Sequence, residues 1–138
     1  MSLTCVGGLS MVRDGQGSLP PIRVLIADDD ARVRNALRTF LMATHGFEVV
    51  GEAGSPQLAL EIARDLNPCV AIVDVLMPDA EDGLDLLRVL TAELSVPVIA
   101  MSLRSTLGPE ALAAGAREFL TKDGYAERLV DALRNACH

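Results

Sequence analysis

The chain has very few aromatic residues: no tryptophan, one tyrosine and three phenylalanines among 138 residues. Half of its residues are nevertheless hydrophobic, so the core must consist mainly of valine, isoleucine, leucine and alanine. A chain of this length forms about one domain with a single core of ordinary size. We therefore expect one domain built from aliphatic strands and helices.

Positive charge is also scarce, with 12 basic against 19 acidic residues and a formal net charge of −7. An acidic surface repels the phosphate backbone, so we predict no direct nucleic-acid binding by this chain. No apolar stretch reaches the length of a membrane span, and the start lacks a signal-peptide pattern. The sequence therefore predicts no membrane association and a cytoplasmic localisation.

The three cysteines, Cys5, Cys69 and Cys137, lie far apart, and no pair has the spacing of a metal site. Their odd number and wide spacing indicate a reducing compartment. Cys69 lies in an apolar run, which predicts a small buried residue without chemistry of its own.

Residues 1–20 are rich in glycine and serine and lack periodicity, so we predict a flexible leader followed by a structured domain at residues 21–138. Apolar runs of strand length then alternate with helical patterns. The predicted strands are Ile22–Ala27, Phe47–Val50, Cys69–Val75, Val96–Met101 and Arg117–Leu120. Strict alternation implies a parallel sheet with right-handed crossovers and helices on both faces. We predict a doubly wound α/β fold, (βα)5, with the flavodoxin-like strand order 2-1-3-4-5.

Polar residues follow four of the five predicted strands, where open parallel sheets bind ligands. They are Asp28, Asp29 and Asp30 after strand 1, Asp74 after strand 3, Ser102 after strand 4 and Lys122 after strand 5. Each has a simpler explanation: Asp30 as a helix cap, Asp74 as the start of a loop, Ser102 as a turn hydroxyl, Lys122 as a surface lysine. Their joint placement at one edge favours a shared site.

Clustered carboxylates repel one another by roughly 4 kcal/mol per pair at about 4 Å and an effective dielectric near 20. Such a cluster takes up protons or binds a hard cation, and Mg²⁺ suits it. A carboxylate beside the metal can act as a nucleophile toward phosphorus. The metal and a lysine can supply the charge neutralisation that phosphoryl transfer needs, and Ser102 could donate a hydrogen bond to the transferred group.

Residues 22–136 resemble the receiver domain of two-component response regulators. The resemblance rests on Asp28-Asp29, Asp74 followed by Met77-Pro78 and Gly83, Ser102, and Lys122. It implies that Asp74 accepts a phosphoryl group from a phosphohistidine of a sensor histidine kinase.

The resemblance also implies roles for the neighbouring residues. Asp28, Asp29, Asp74 and the backbone carbonyl of Leu76 would hold Mg²⁺, with Mn²⁺ as a substitute. Ser102 and Lys122 would bind the phosphoryl oxygens, and Phe119 matches the aromatic residue that moves during switching. The surface of helix 4, strand 5 and helix 5 would then change, and such regulators often form homodimers on activation. The domain would not be an enzyme beyond catalysing its own phosphorylation and dephosphorylation.

Three short segments resemble the NarL/LuxR class: Gly51-Glu52-Ala53, Ala114-Gly115-Ala116 and Lys122-Asp123. Members of that class usually carry a C-terminal helix-turn-helix domain that binds DNA. The implied output is transcription through a DNA-binding domain absent from this chain, which would be either excised from a longer regulator or a stand-alone receiver.

Two features of the sequence depart from the family pattern. The loop Asp79-Ala80-Glu81-Asp82 contains one residue more than usual and adds acids, which would alter metal affinity or kinase docking. Leu103 replaces a small residue beside Ser102, and we hypothesise that it narrows access to Asp74.

One rival function is a receiver-like protein-interaction module that is not phosphorylated. The other is a phosphatase that uses the DxD of Asp28–Asp30, but it leaves Asp74 and Lys122 unexplained. A flavin-binding domain is disfavoured by the scarcity of aromatics.

Overall fold

Five parallel strands form one sheet in the order β2-β1-β3-β4-β5. The computed structural model describes residues 19–137, so nearly all of the predicted leader lies outside the described residues. The strands are β1 (Ile22–Ala27), β2 (Phe47–Ala53), β3 (Val70–Asp74), β4 (Val98–Ser102) and β5 (Glu118–Thr121). The predicted fold class and the strand order 2-1-3-4-5 are confirmed.

Helices connect the strands and cover both faces of the sheet. They are α1 (Ala31–Met42), α2 (Pro56–Leu66), α3 (Ala80–Arg88), α4 (Gly108–Ala113) and α5 (Ala126–Ala136). A π-helical turn (Val89–Glu93) extends α3, and a 3₁₀ turn (Ser105–Leu107) precedes α4. In this part of the chain no helix is long and apolar enough to cross a bilayer.

Local capping explains where two helices begin. Ser55 accepts a hydrogen bond from the Leu58 amide, and Pro56 occupies the first helical position. Asp30 caps α1 by accepting the Arg32 amide at 2.9 Å. The simpler explanation of Asp30 is therefore confirmed.

The core consists of two aliphatic layers, one on each face of the sheet. Alternate residues of β1 point to opposite layers, with Leu25 packing beneath α2 and Ile26 packing beneath α1 and α5. Every residue of β3 and β4 is buried, because helices cover both faces of these central strands. This double covering explains why these strands read as continuous apolar runs.

Several predicted boundaries are wrong at the strand ends. The second strand continues past Val50 to Ala53, because it keeps pairing with β1 to the end. The fourth begins at Val98, since Pro97 has no amide hydrogen to donate, and it includes Ser102. The third begins at Val70 and the fifth runs from Glu118 to Thr121.

The prediction that Cys69 is buried is also wrong. Cys69 is exposed, because it precedes β3 at the amino edge of the sheet and lies outside the buried strand itself. Its amide donates to the Arg23 carbonyl at 2.9 Å, which leads the chain into the sheet.

Candidate functional site

The predicted charged residues meet at the carboxyl edge of the sheet. Asp28 follows β1, Asp74 ends β3 and Lys122 follows β5. The Lys122 Nζ lies 2.6 Å from Asp28 Oδ2 and 3.2 Å from Asp74 Oδ2. The lysine side chain is 13% exposed and both carboxylates are 4% exposed, so water screens these charges poorly.

The two buried carboxylates are held in the same way. Asp28 Oδ1 accepts the Asp30 amide at 2.8 Å, and Asp74 Oδ1 accepts the Leu76 amide at 3.0 Å. In each case the aspartate binds the backbone two residues later, a local turn that suits aspartate. One oxygen of each carboxylate is therefore fixed, and the other faces Lys122.

Asp29 supplies a third carboxylate, which is exposed. Oxygens of Asp28, Asp29 and Asp74 all lie within 4.8 Å of one another. Two oxygens bound to an octahedral Mg²⁺ are about 3 or 4 Å apart, given its bond length near 2.1 Å. The three carboxylates therefore fit a Mg²⁺ ion after small adjustments. The Leu76 amide binds Asp74, which places this residue's backbone beside the acids.

Burial and charge change the acidity of this cluster. Burial raises the pKa of Asp74 above its usual value, and the charge of Asp28 raises it further, against the lowering by the Leu76 amide and Lys122. The charged form of Asp74 therefore lowers stability above its folded-state pKa, and this cost is relieved as the pH falls through that pKa. A cation beside Asp74 relieves the same cost.

Lys122 responds in the opposite sense. Burial lowers its pKa, but the hydrogen bonds and charges of Asp28 and Asp74 outweigh burial and leave the pKa above 10.5. Its ammonium therefore contributes stability that is complete below pH 10.5 and is lost as the pH rises through the folded-state pKa.

Ser102 lies next to this cluster without joining it. Its fully buried Oγ accepts the Arg104 amide at 3.0 Å, so its own hydrogen stays free to be donated. The Ser102 carbonyl accepts the Lys122 amide at 3.0 Å, which ties the two strand ends together. Within residues 19–137 no hydrogen bond joins the Ser102 side chain to Asp28, Asp74 or Lys122.

Phe119 lies half-buried on β5 beside the start of α4. A Cβ added to Gly108 would come within 3.2 Å of the Phe119 ring, so the glycine allows the close packing of ring and helix. Phe119 therefore contacts the start of α4.

Two contributions to the site had only weak signals in the sequence. Arg34 of α1 donates to the Asp28 carbonyl at 2.6 Å. Gly83 lies so close to β3 that an added Cβ would be 1.8 Å from the Val75 carbonyl oxygen. The sequence marked Gly83 only as part of a motif; the reason is that α3 packs directly on the segment after Asp74.

The acids of the extra loop have a structural role as well. Asp79 caps α3 by accepting the Asp82 amide at 3.0 Å, and Glu81 and Asp82 occupy the first turn. Acids in a first turn interact favourably with the helix dipole. Their predicted effect on metal affinity or kinase docking stays a prediction.

Comparison with known proteins relates this geometry to a family. The family model described as "Response regulator receiver domain" matches residues 24–134. The chain is 42% identical over 115 residues to a protein-glutamate methylesterase/protein-glutamine glutaminase of Anaeromyxobacter dehalogenans, which covers 80% of this chain and 32% of the relative. A protein of the same description from Methanosarcina acetivorans is 38% identical over 125 residues, covering 83% and 36%. The chain thus spans about a third of the length of these curated relatives.

Solved structures give the same likeness. The response regulator domain of Thermotoga maritima CheB aligns with a TM-score of 0.77 and 30% identity, covering 85% of this chain and 96% of that domain. The signal receiver domain of the putative response regulator NarL from Mycobacterium tuberculosis aligns with a TM-score of 0.76 and 30% identity, covering 86% and 97%. The two structures are equally similar to this chain in sequence.

Proposed function

The chain belongs to the response regulator receiver domain family, and on that premise we propose that it is a phosphorylation switch whose acceptor is Asp74. The observation that carries the proposal is the buried Asp74 carboxylate, fixed through one oxygen and facing Lys122 with the other. A buried carboxylate with this arrangement is a positioned nucleophile with a cation beside the site of attack.

The reaction transfers a phosphoryl group from a phosphohistidine of a sensor histidine kinase. Asp74 Oδ2 attacks phosphorus, the bond from phosphorus to the histidine nitrogen breaks, and the imidazole leaves with its electron pair. The Leu76 amide holds Oδ1 and so orients the attacking oxygen. Lys122 stabilises the negative charge on the transferred group.

The metal part of the proposal uses the three acids. Asp28, Asp29 and Asp74, with the Leu76 carbonyl, would hold Mg²⁺, and Mn²⁺ is the expected substitute. The bound ion supplies additional positive charge for the phosphoryl oxygens.

The switch itself is assigned to Ser102 and Phe119. The Ser102 hydroxyl accepts the Arg104 amide with one of its two lone pairs, and its hydrogen can still be donated to a phosphoryl oxygen. The new charge on Asp74 would draw Ser102 and Lys122 toward it. Ser102 and Lys122 lie at the ends of β4 and β5, next to Phe119 and α4. Their movement would therefore shift the population of conformations that the surface of α4, β5 and α5 adopts.

The output of the switch is proposed from the relatives. The two curated relatives described above are named as methylesterases, so we infer that this receiver controls a protein-glutamate methylesterase rather than transcription. The NarL/LuxR class and the transcriptional output predicted from short motifs are not specifically supported. The prediction that this chain binds no nucleic acid is likewise not borne out by the comparisons.

The remaining features of the proposal follow the family. We infer a cytoplasmic receiver at residues 21–138 that meets a histidine kinase and forms a homodimer on activation. Its only catalysis would be its own phosphorylation and dephosphorylation.

The test is intact mass after incubation with acetyl phosphate, with Mg²⁺ and then with EDTA. We expect one added phosphoryl group with Mg²⁺, no addition with EDTA, and none in Asp74→Asn. Asp65→Asn is the matched control, since this exposed acid of α2 is outside the cluster, and it should be phosphorylated like the wild type.

Two results would contradict the proposal. Addition that persists in Asp74→Asn would place the acceptor elsewhere, and Mg²⁺ binding without any addition, from acetyl phosphate or a kinase, would favour the interaction module. Turnover of a phosphate ester that is lost in Asp28→Asn but kept in Asp74→Asn would instead favour the phosphatase.

A further inference from the structure

Two cysteines that are distant in sequence lie side by side at the amino edge of the sheet. Cys69 immediately precedes β3, and Cys137 follows the last turn of α5. The Cys137 thiol donates to the Cys69 carbonyl oxygen at 3.6 Å, across 68 residues of sequence. This contact joins the end of α5 to the start of a central strand.

The two thiols have different surroundings. Cys69 is exposed and Cys137 is half-buried. Burial and, to a lesser degree, the nearby Cys69 thiol together raise the pKa of the Cys137 thiol to about 11, against a lowering by Arg117. Cys137 is therefore a neutral thiol at physiological pH, and Cys69 is the sulfur that solutes reach.

We propose that Cys69 and Cys137 are a redox-responsive pair that closes to an intramolecular disulfide when the chain meets an oxidised small-molecule disulfide such as glutathione disulfide. The Cys69 thiolate attacks one glutathione sulfur and releases one glutathione thiolate. Cys137 gives its proton to solvent and attacks the Cys69 sulfur, which releases the second glutathione. Two protein thiols are oxidised, and one glutathione disulfide is reduced to two glutathiones.

Adjacency in the folded state favours closure over a lasting mixed disulfide. The Cys137 thiol lies beside the backbone carbonyl of Cys69, so the second attack takes place within one chain. A small reorientation of the two side chains brings the sulfurs together, and Cys69 has room for it because it is exposed.

Closure would act on α5 and not on Asp74. The pair lies at the opposite end of β3 from Asp74, and five residues at about 3.3 Å each separate Cys69 from Asp74 by roughly 16 Å. The bond would hold the end of α5 against the sheet and limit its opening. Phosphorylation at the other edge should continue.

The experiment uses the full chain with Cys5→Ser, which leaves only the pair, and compares it with Cys5→Ser/Cys69→Ser. After incubation with glutathione disulfide, we expect the intact mass of the first to fall by two hydrogens, with no glutathione retained. A non-reducing peptide map should then join the peptides that contain Cys69 and Cys137. The control cannot close, so it should keep both its mass and its free thiol or carry one glutathione.

A second measurement follows stability. The disulfide should raise the thermal midpoint by roughly 10 °C, reversibly on addition of dithiothreitol, and slow hydrogen exchange at the end of α5. A lasting glutathione adduct on Cys69, or disulfide-linked dimers in place of the closed monomer, would overturn the proposal.

Discussion

The two edges of the sheet handle polar groups in different ways. At the carboxyl edge lie Asp28, Asp74 and Ser102, which are the buried polar or charged residues among residues 19–137. At the amino edge the long cation Arg23 binds the carbonyls of Leu66 and Asn67, at 2.7 and 2.9 Å. One edge buries charges that depend on one another, and the other leaves a charge exposed on neutral carbonyl groups.

The difference shows where this fold gives up stability for chemistry. Arg23 meets the end of α2, where the helix dipole favours a cation. Asp74 meets another carboxylate and a low-dielectric surrounding, both of which raise its pKa. The amino edge therefore contributes stability without burying a charge, whereas the carboxyl edge depends on cations, or on protonation of Asp74, to balance its acids.

Two glycines give the largest expected contrast. In Gly83→Ala the new Cβ would meet the Val75 carbonyl oxygen at 1.8 Å. We therefore expect the free energy of unfolding to fall by about 3 kcal/mol or more. Gly46→Ala at the amino edge meets nothing within 4 Å and carries only the strain of a φ of +99°, about 1 kcal/mol. Urea unfolding measures both.

Equal losses of unfolding free energy in these two glycine variants would contradict the contrast between the two edges. Phosphorylation by acetyl phosphate is a second measurement that separates the two variants. Gly83→Ala should lose the reaction at temperatures where the variant is still folded. The added Cβ would push α3 and the segment after Asp74 apart, and this would displace Asp74 itself. Gly46→Ala should keep the reaction.

The two cations give the next contrast. Lys122→Met leaves two buried carboxylates without their ammonium, which should cost about 3 kcal/mol at neutral pH. Arg23→Met loses exposed hydrogen bonds to carbonyls that water can replace, about 1 kcal/mol. Both are measured by urea unfolding at pH 7.

The pH dependence separates these cation variants. Because the pKa of Lys122 is raised above 10.5, the wild type should lose stability as the pH rises through that folded-state pKa. Lys122→Met should show a smaller loss, because the Cys137 thiol, whose pKa burial raises to about 11, still titrates in this range. Arg23→Met should show the full loss. A Lys122→Met profile that still falls like the wild type would show that another group titrates.

Two exposed leucines give the smallest expected effect. Leu103, 71% exposed, lies beside Ser102, and Leu66, 41% exposed, lies at the amino edge. If Leu103 narrows access to Asp74, Leu103→Ala should speed gain and loss of the phosphoryl group by about threefold, or ~0.6 kcal/mol of barrier. Leu66→Ala should change neither rate. Unchanged rates in both variants would remove the hypothesis.

The sequence predicted the fold and the charged cluster because both depend on short patterns. Alternating apolar runs predict the parallel sheet, and the order of strands then brings Asp28, Asp74 and Lys122 to one edge. The roles assigned to these residues remain predictions. The cap at Asp30 was visible for the same local reason.

Other features depend on contacts that a sequence pattern does not carry. The close approach of Gly83 to Val75 requires the packing of α3 on the sheet. The exposure of Cys69 depends on where β3 begins, and its contact with Cys137 crosses 68 residues. The regulator class that short motifs indicated is not specifically supported by the comparisons. Gly51, in one of those motifs, lies where an added Cβ would meet Ile62 of α2 at 2.7 Å, so packing alone accounts for a glycine there.

The ion pairs of Lys122 have a consequence for every measurement of metal affinity. Its ammonium is a competitor on a tether, present beside Asp28 and Asp74 at a high effective concentration. An incoming cation must share these acids with the ammonium or displace it. The observed free energy of metal binding is therefore the difference between the free energies with which the two cations bind the same acids. The domain is therefore better suited to exchanging one counter-charge for another than to storing an ion.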